Sequence, residues 1–267
     1  MKKNYFLLIF ILSFSYFVSA QDAHFSQYYT FNQSLNPALT SNNDGSYRVS
    51  VIYRNQWSSF LNKSSFNTPG ISLELPLLEG QLKGDKFGIG LVFYNDRFGE
   101  SSLSILNTAL SIAYHKSIGK KNNHRFSLGA QVAYIQKSIA SDGYTFYDQF
   151  NAVSHSGTGQ SSDILNMERG SFFYFDYNVG LYWKSTFSKR VKMQVGFATA
   201  HLGQPSESFI NASEEYYLPR KYTADLGFEV FFTDKISFSP DALYQRQGEA
   251  QEILAGGFFS YYFNDGF

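Results

Sequence analysis

The chain has 267 residues, 22 basic and 22 acidic side chains, no cysteine, 28 Phe and 20 Tyr. Balanced charge excludes a global field favouring nucleic acid, and the lack of cysteine excludes a disulfide framework, thiolate chemistry and cysteine-ligated zinc. Only 16% of residues are charged against 19% aromatic, whereas soluble domains carry about a quarter charged residues; the excess points to a surface facing lipid.

Residues 1–20 have the layout of a cleavable signal peptide: Lys2 and Lys3, an apolar run from Tyr5 to Phe17, and the small-residue exit Val18-Ser19-Ala20. The run is short for an uncleaved anchor helix, and no cysteine follows Ala20 to carry a lipid. Residues 21–45 form a polar arm without alternation, in which Asn36-Pro37 is a turn that delivers the chain to the next segment. A structural plug and a partner-binding arm are both open to it.

From 46 to 267 the sequence predicts an all-β fold, a transmembrane antiparallel outer-membrane β-barrel of about ten strands. The strands fall at 46–60, 66–77, 85–97, 103–117, 124–139, 171–186, 189–202, 220–232, 235–246 and 251–263. In the third, Phe87, Ile89, Leu91 and Phe93 alternate with Gly88, Gly90, Val92 and Tyr94. In the sixth, Phe173, Phe175, Tyr177, Val179 and Leu181 alternate with Tyr174, Asp176, Asn178, Gly180 and Tyr182. One face is apolar, for lipid; the other carries glycines and charges, for the lumen. A soluble sandwich also alternates, but these segments are long enough for a tilted crossing. Short turns at 79–86, 119–124, 187–190 and 233–235 face one end, and longer loops, 140–170 and 203–219 among them, face the other. That asymmetry matches the periplasmic and extracellular ends of such barrels.

The chemistry-bearing residues do not assemble into a catalytic set. His24, His115, His124, His155 and His201 are scattered without metal-ligand spacing, and neither a nucleophile elbow nor a phosphate-binding glycine loop is present. Asp176, Asp225 and Glu229 are explained by lumen polarity. A phospholipase-like barrel needs a nucleophile and a base at the rim, and none is evident, so the expectation is no enzyme, no cofactor and no metal.

Specific motifs then add to the pattern. Gln21-Asp22, Phe25-Ser26-Gln27-Tyr28, Asn36-Pro37-Ala38, Tyr53-Arg54-Asn55-Gln56-Trp57, the stretch 201–209 containing Gln204-Pro205, and 217–230 occur in order. This ordered set resembles the PorP/SprF family of type IX secretion outer-membrane proteins; Ala23 stands where the family usually has proline. The resemblance implies export or surface attachment of particular cargo proteins, gliding adhesins included, with secretion-system components, cargo and outer-membrane lipid as partners. A general diffusion or uptake channel is the alternative. Asp22, Phe25, Ser26, Gln27, Tyr28, Asn36, Pro37, Arg54, Gln56, Trp57, Gln204 and Pro205 are the candidate arm or partner contacts, although Tyr53 to Trp57 equally fits an interfacial aromatic belt. The resemblance also implies more strands, and the ending Asn264-Asp265-Gly266-Phe267 looks like a turn opening another strand. The expectation is a C-terminally incomplete barrel.

Overall fold

The structure, a computed structural model, describes residues 30–43, 45–56, 58–61, 65–82, 84–98, 103–119, 122–139, 150–151, 156–157, 170–209 and 217–263. Period-2 alternation becomes one antiparallel meander. Its strands are β1 (Arg48–Gln56), β2 (Phe66–Leu82), β3 (Asp85–Phe98), β4 (Leu103–Ile118), β5 (His124–Ser138), β8 (Ser171–Ser188), β9 (Val191–Ala200), β10 (Lys221–Phe231), β11 (Ile236–Gln247) and β12 (Ala250–Tyr261). A separate two-residue ladder, β6 (Phe150–Asn151) with β7 (Ser156–Gly157), lies in the connection between β5 and β8. Among the described residues, the outer edges of β1 and β12 have no strand partner, and no helix is long and apolar enough to cross a membrane.

Burial is inverted relative to a water-soluble protein. Ile253 and Phe259 on the outer face are 75% and 77% exposed, whereas Glu74 and Asp96 on the inner face are 0% and 1% exposed. Apolar side chains out and charged ones in is the arrangement lipid demands. Aromatic pairs mark both ends of the outer wall: Phe126 stacks on Trp183 at 5.9 Å near the short turns, and Tyr134 meets Phe173 at 5.4 Å near the long loops. Such bands suit the two interfaces of a bilayer.

Two local expectations are corrected. The first strand stops at Gln56, and Ser58–Leu61 forms a helical turn, α2, rather than extending the strand to 60. The turn expected over 79–86 is mostly strand, because β2 runs to Leu82 and β3 starts at Asp85. Leu78 at φ 58° and a register shift between Leu77 and Leu82 absorb the irregularity. The third strand, expected over 85–97, runs from Asp85 to Phe98, and Asp96 near its end turns inward, where Thr68 Oγ1 donates to it at 2.6 Å. At the long-loop end β11 and β12 are joined by a two-residue turn with Gly248 at φ 58°, a left-handed conformation that favours glycine.

Candidate functional site

The functional candidate is the concave face and the chain that lies in it. Residues 31–43 do not lie beneath the wall; they run inside it. Phe31 packs on Val92, Ala109, Ala133 and Ile135 of β3, β4 and β5. Farther on, Ala38 and Leu39 cluster with Tyr182 of β8, and Asn43 receives a hydrogen bond from Lys86 near the short-turn end of β3. The arm therefore descends through the lumen towards the short turns, then reverses into β1.

Its local shape follows from a few residues. Asn32–Leu35 form one helical turn, α1, and Pro37–Leu39 a 3-10 turn. Asn36 is extended (φ −150°, ψ 113°), the conformation a following proline imposes, and its Oδ1 accepts from Ala38 N at 2.9 Å. Pro37 occupies the first helical position, where its missing N–H costs nothing. Asn36 also clamps the wall, donating through Nδ2 to Leu181 O at 3.0 Å and to Phe197 O at 3.4 Å.

The wall receives this turn on a row of small residues. Strand register places Gly88, Ala113, Gly129, Gly180 and Ala198 side by side across β3, β4, β5, β8 and β9. The approach is so close that a Cβ on Gly129 would lie 2.2 Å from Pro37 C and 2.3 Å from Ala38 N. A Cβ on Gly180 would lie 1.9 Å from Asn36 Oδ1. Only hydrogen at these positions leaves room for the arm.

Polar groups lock the arm from three sides. Gln33 donates to Leu91 O at 3.2 Å, and Gln131 donates to Gln33 O at 3.1 Å and to Ser111 Oγ at 2.7 Å. Asn178 donates to Gln131 Oε1 at 2.8 Å and accepts from His201 N at 3.1 Å. His201 Nδ1 reaches Asp176 at 2.9 Å. Fully buried His115 donates from Nε2 to Thr40 O at 2.8 Å, because a carbonyl can only accept; its Nδ1 is then free to accept from Ser127 Oγ at 2.7 Å. Below, Glu74 accepts from Ser41 N at 2.6 Å and from Arg48 in several contacts of 2.6–2.8 Å, tying the end of the arm to β1 and β2.

Two cavities flank the arm. One, about 190 Å³, lies between Phe31, Ser34 and Leu35 and the long-loop end; the other, about 220 Å³, lies between Leu35, Leu39 and the wall around Asp225 and Asp241. The connection after β9 closes over the first. Glu207 pairs with Lys137 at 2.6 Å and accepts from Tyr174, and Phe209 meets Phe172 edge-on at 4.8 Å.

The candidate residues divide between two levels. Asn36 and Pro37 sit in mid-lumen. Arg54 and Gln56 lie at the long-loop end of β1, joined by a bond of 2.5 Å from Arg54 Nη2. Gln204 and Pro205 shape the connection at the same end: Gln204 N donates to His201 O at 3.0 Å and Pro205 O accepts from Leu218 N at 2.9 Å. Asp22, Phe25, Ser26, Gln27, Tyr28 and Trp57 lie outside the described residues. Sequence reasoning missed Gln33, Glu74, His115, Gln131 and the glycine row as one assembly. Its visible trace is the glycines at 88, 90, 129 and 180 on the polar face of three strands. Among the described residues, no cluster of three or more His, Asp or Glu side chains is placed to hold a metal. The arrangement holds a chain segment by shape and hydrogen bonding.

Comparison with curated proteins returns no match. Comparison with protein families matches residues 17–266, nearly the whole chain, to "Type IX secretion system membrane protein PorP/SprF". With an antiparallel, inside-out β-wall that meets the same description independently, the chain belongs to the PorP/SprF family of type IX secretion system membrane proteins.

Proposed function

We propose that this protein is a non-enzymatic outer-membrane component of type IX secretion that assists export or surface attachment of specific cargo proteins, gliding adhesins among them. Residues 1–20 serve as its export signal, and the two aromatic bands and lipid-suited outer face support the outer-membrane location. The observation that carries the reading is the occupied lumen: a segment seated on Gly129 and Gly180 at backbone contact distance favours a docking component over a diffusion channel. In this reading residues 21–45 are a plug, and Arg54, Gln56, Trp57, Gln204 and Pro205 present the face that meets secretion components or cargo.

Deletion of the gene tests it. Surface display of a particular cargo should be lost while small-solute permeability stays unchanged. Normal display of every type IX cargo would overturn the proposal, and steady conductance of the purified protein in planar bilayers would favour the channel alternative.

A further inference from the structure

Charge is spread unevenly along this neutral chain. Residues 116–125 and 184–192 hold eight basic side chains and no acidic one, whereas the long connections 140–170 and 203–219 hold seven acidic and one basic. The two basic stretches are neighbours in space: they are the hairpin ends of β4–β5 and β8–β9, and Thr186 N donates to Asn123 O at 2.8 Å between them. Lys116 pairs with Asp85 at 2.8 Å and Lys192 with Glu229 at 3.0 Å. Lys189 and Arg190, the turn between β8 and β9, are exposed, and among the described residues no carboxylate pairs with either. The short-turn rim therefore keeps positive charge that the protein itself does not neutralise.

The outer wall next to this rim is grooved. Tyr114 of β4, Phe126 and Leu128 of β5, Leu181 and Trp183 of β8, and Phe197 of β9 line a groove that is almost wholly apolar, with Lys116 at its edge. Towards the turns Trp183 stacks on Phe126 at 5.9 Å and on His124 at 6.3 Å, and it meets Phe187 edge-on at 6.1 Å. Aromatic clusters of this kind sit at headgroup level. The groove thus lies on the acyl side of one interface and the cations of the turn on its headgroup side. An apolar groove open to lipid suits an acyl chain, and cations at the rim suit a phosphate. An acidic protein segment would use the cations but leave the groove unmatched.

We propose that the outer face of β4, β5, β8 and β9 at the short-turn end is a binding site for one anionic phospholipid. An acyl chain lies along Leu128, Leu181 and Phe197, and Lys189 and Arg190 hold the headgroup phosphate. The site rests on the outer-membrane reading of the wall and is independent of any cargo.

Trp183 is a built-in reporter, because the only other tryptophan is Trp57. The full mature chain carrying Trp57→Phe is reconstituted in phosphatidylcholine vesicles in which part of the lipid is replaced by dibrominated phosphatidylcholine or dibrominated phosphatidylglycerol. Bromine quenches Trp183 from the groove, and the quenching curves give the relative affinity of the two lipids. Phosphatidylglycerol should be preferred by about fivefold or more, the equivalent of one cation at a membrane surface, and the preference should fall in high salt. Lys189→Gln with Arg190→Gln, at exposed turn positions, should remove most of it. Equal quenching by the two lipids, or a preference unchanged in the double variant, would overturn the proposal and leave the membrane reading standing. No quenching by either lipid would overturn both. Binding of hexaglutamate through Lys189 and Arg190, without a lipid preference, would assign the rim to an acidic protein instead.

Discussion

Gly129→Ala is the sharpest test of how the arm is held. An alanine in a strand interior ordinarily stabilises slightly relative to glycine, because it restricts the unfolded chain and suits the extended backbone. Here the added carbon would sit 2.2, 2.3 and 2.4 Å from Pro37 C, Ala38 N and Pro37 O, all backbone atoms that cannot swing aside. Overpacking of this kind costs about 1–3 kcal/mol. If the arm yields before the wall does, its displaced population rises by about 5- to 150-fold. The sequence has no cysteine, so Ala38→Cys, at a fully buried position, makes a clean reporter for maleimide labelling in membranes. Labelling should be slow in the Ala38→Cys protein and faster by that factor when Gly129→Ala is added. Gly256→Ala in the same sheet is the control, since its Cβ would have only Asp241 Oδ1 at 3.8 Å. Gly88→Ala, which meets Thr40 O at 2.4 Å, should behave like Gly129→Ala. Gly180→Ala and Gly90→Ala should be milder, because they meet the side chains of Asn36 and Gln33. Equal labelling rates with and without Gly129→Ala, in a folded barrel, would refute the reasoning.

Other substitutions probe the remaining contacts. His115→Phe strands Thr40 O and Ser127 Oγ without their partner; unmatched buried groups cost about 1–3 kcal/mol each, and the Ala38→Cys reporter should label faster. Glu74→Gln removes the carboxylate shared by Ser41 and Arg48, and should lower unfolding stability in urea by about 1.5–3 kcal/mol. Replacing Arg48 and Glu74 together by Met should recover part of that loss, because the ion pair is then exchanged for apolar packing instead of being broken on one side. Glu207→Ala releases Lys137 and Tyr174 and should speed proteolysis within 203–219 while the heat-modifiable gel shift of the folded wall persists. An unchanged cleavage rate would mean that Phe209 on Phe172, not Glu207, holds that connection.

Alternation, taken with segment length and the contrast between short turns and long loops, revealed the wall. Lipid outside and a polar lumen inside place opposite demands on neighbouring residues, so Phe87 to Phe93 announced both the strand and its orientation, and the strand positions followed within a few residues. The pattern misled in two places: Leu78 at φ 58° let β2 continue where turn-like residues suggested a loop, and a helical turn at Ser58–Leu61 ended the first strand at Gln56. Asn36-Pro37 was legible as a turn because proline restricts itself and the residue before it. What that turn docks against was not. Gly88, Gly129 and Gly180 are 41 and 51 residues apart, and only strand register brings them into one row. Likewise Gln33, Gln131, Asn178 and Asp176 read as separate lumen polarity until the curl of the sheet links them through hydrogen bonds. The sequence by itself determined which face of each strand is apolar and points outward, since that depends on one residue and its immediate neighbours. The tertiary structure decided what fills the inside, because complementarity between an arm and a wall depends on residues up to 161 positions apart arriving within hydrogen-bond distance.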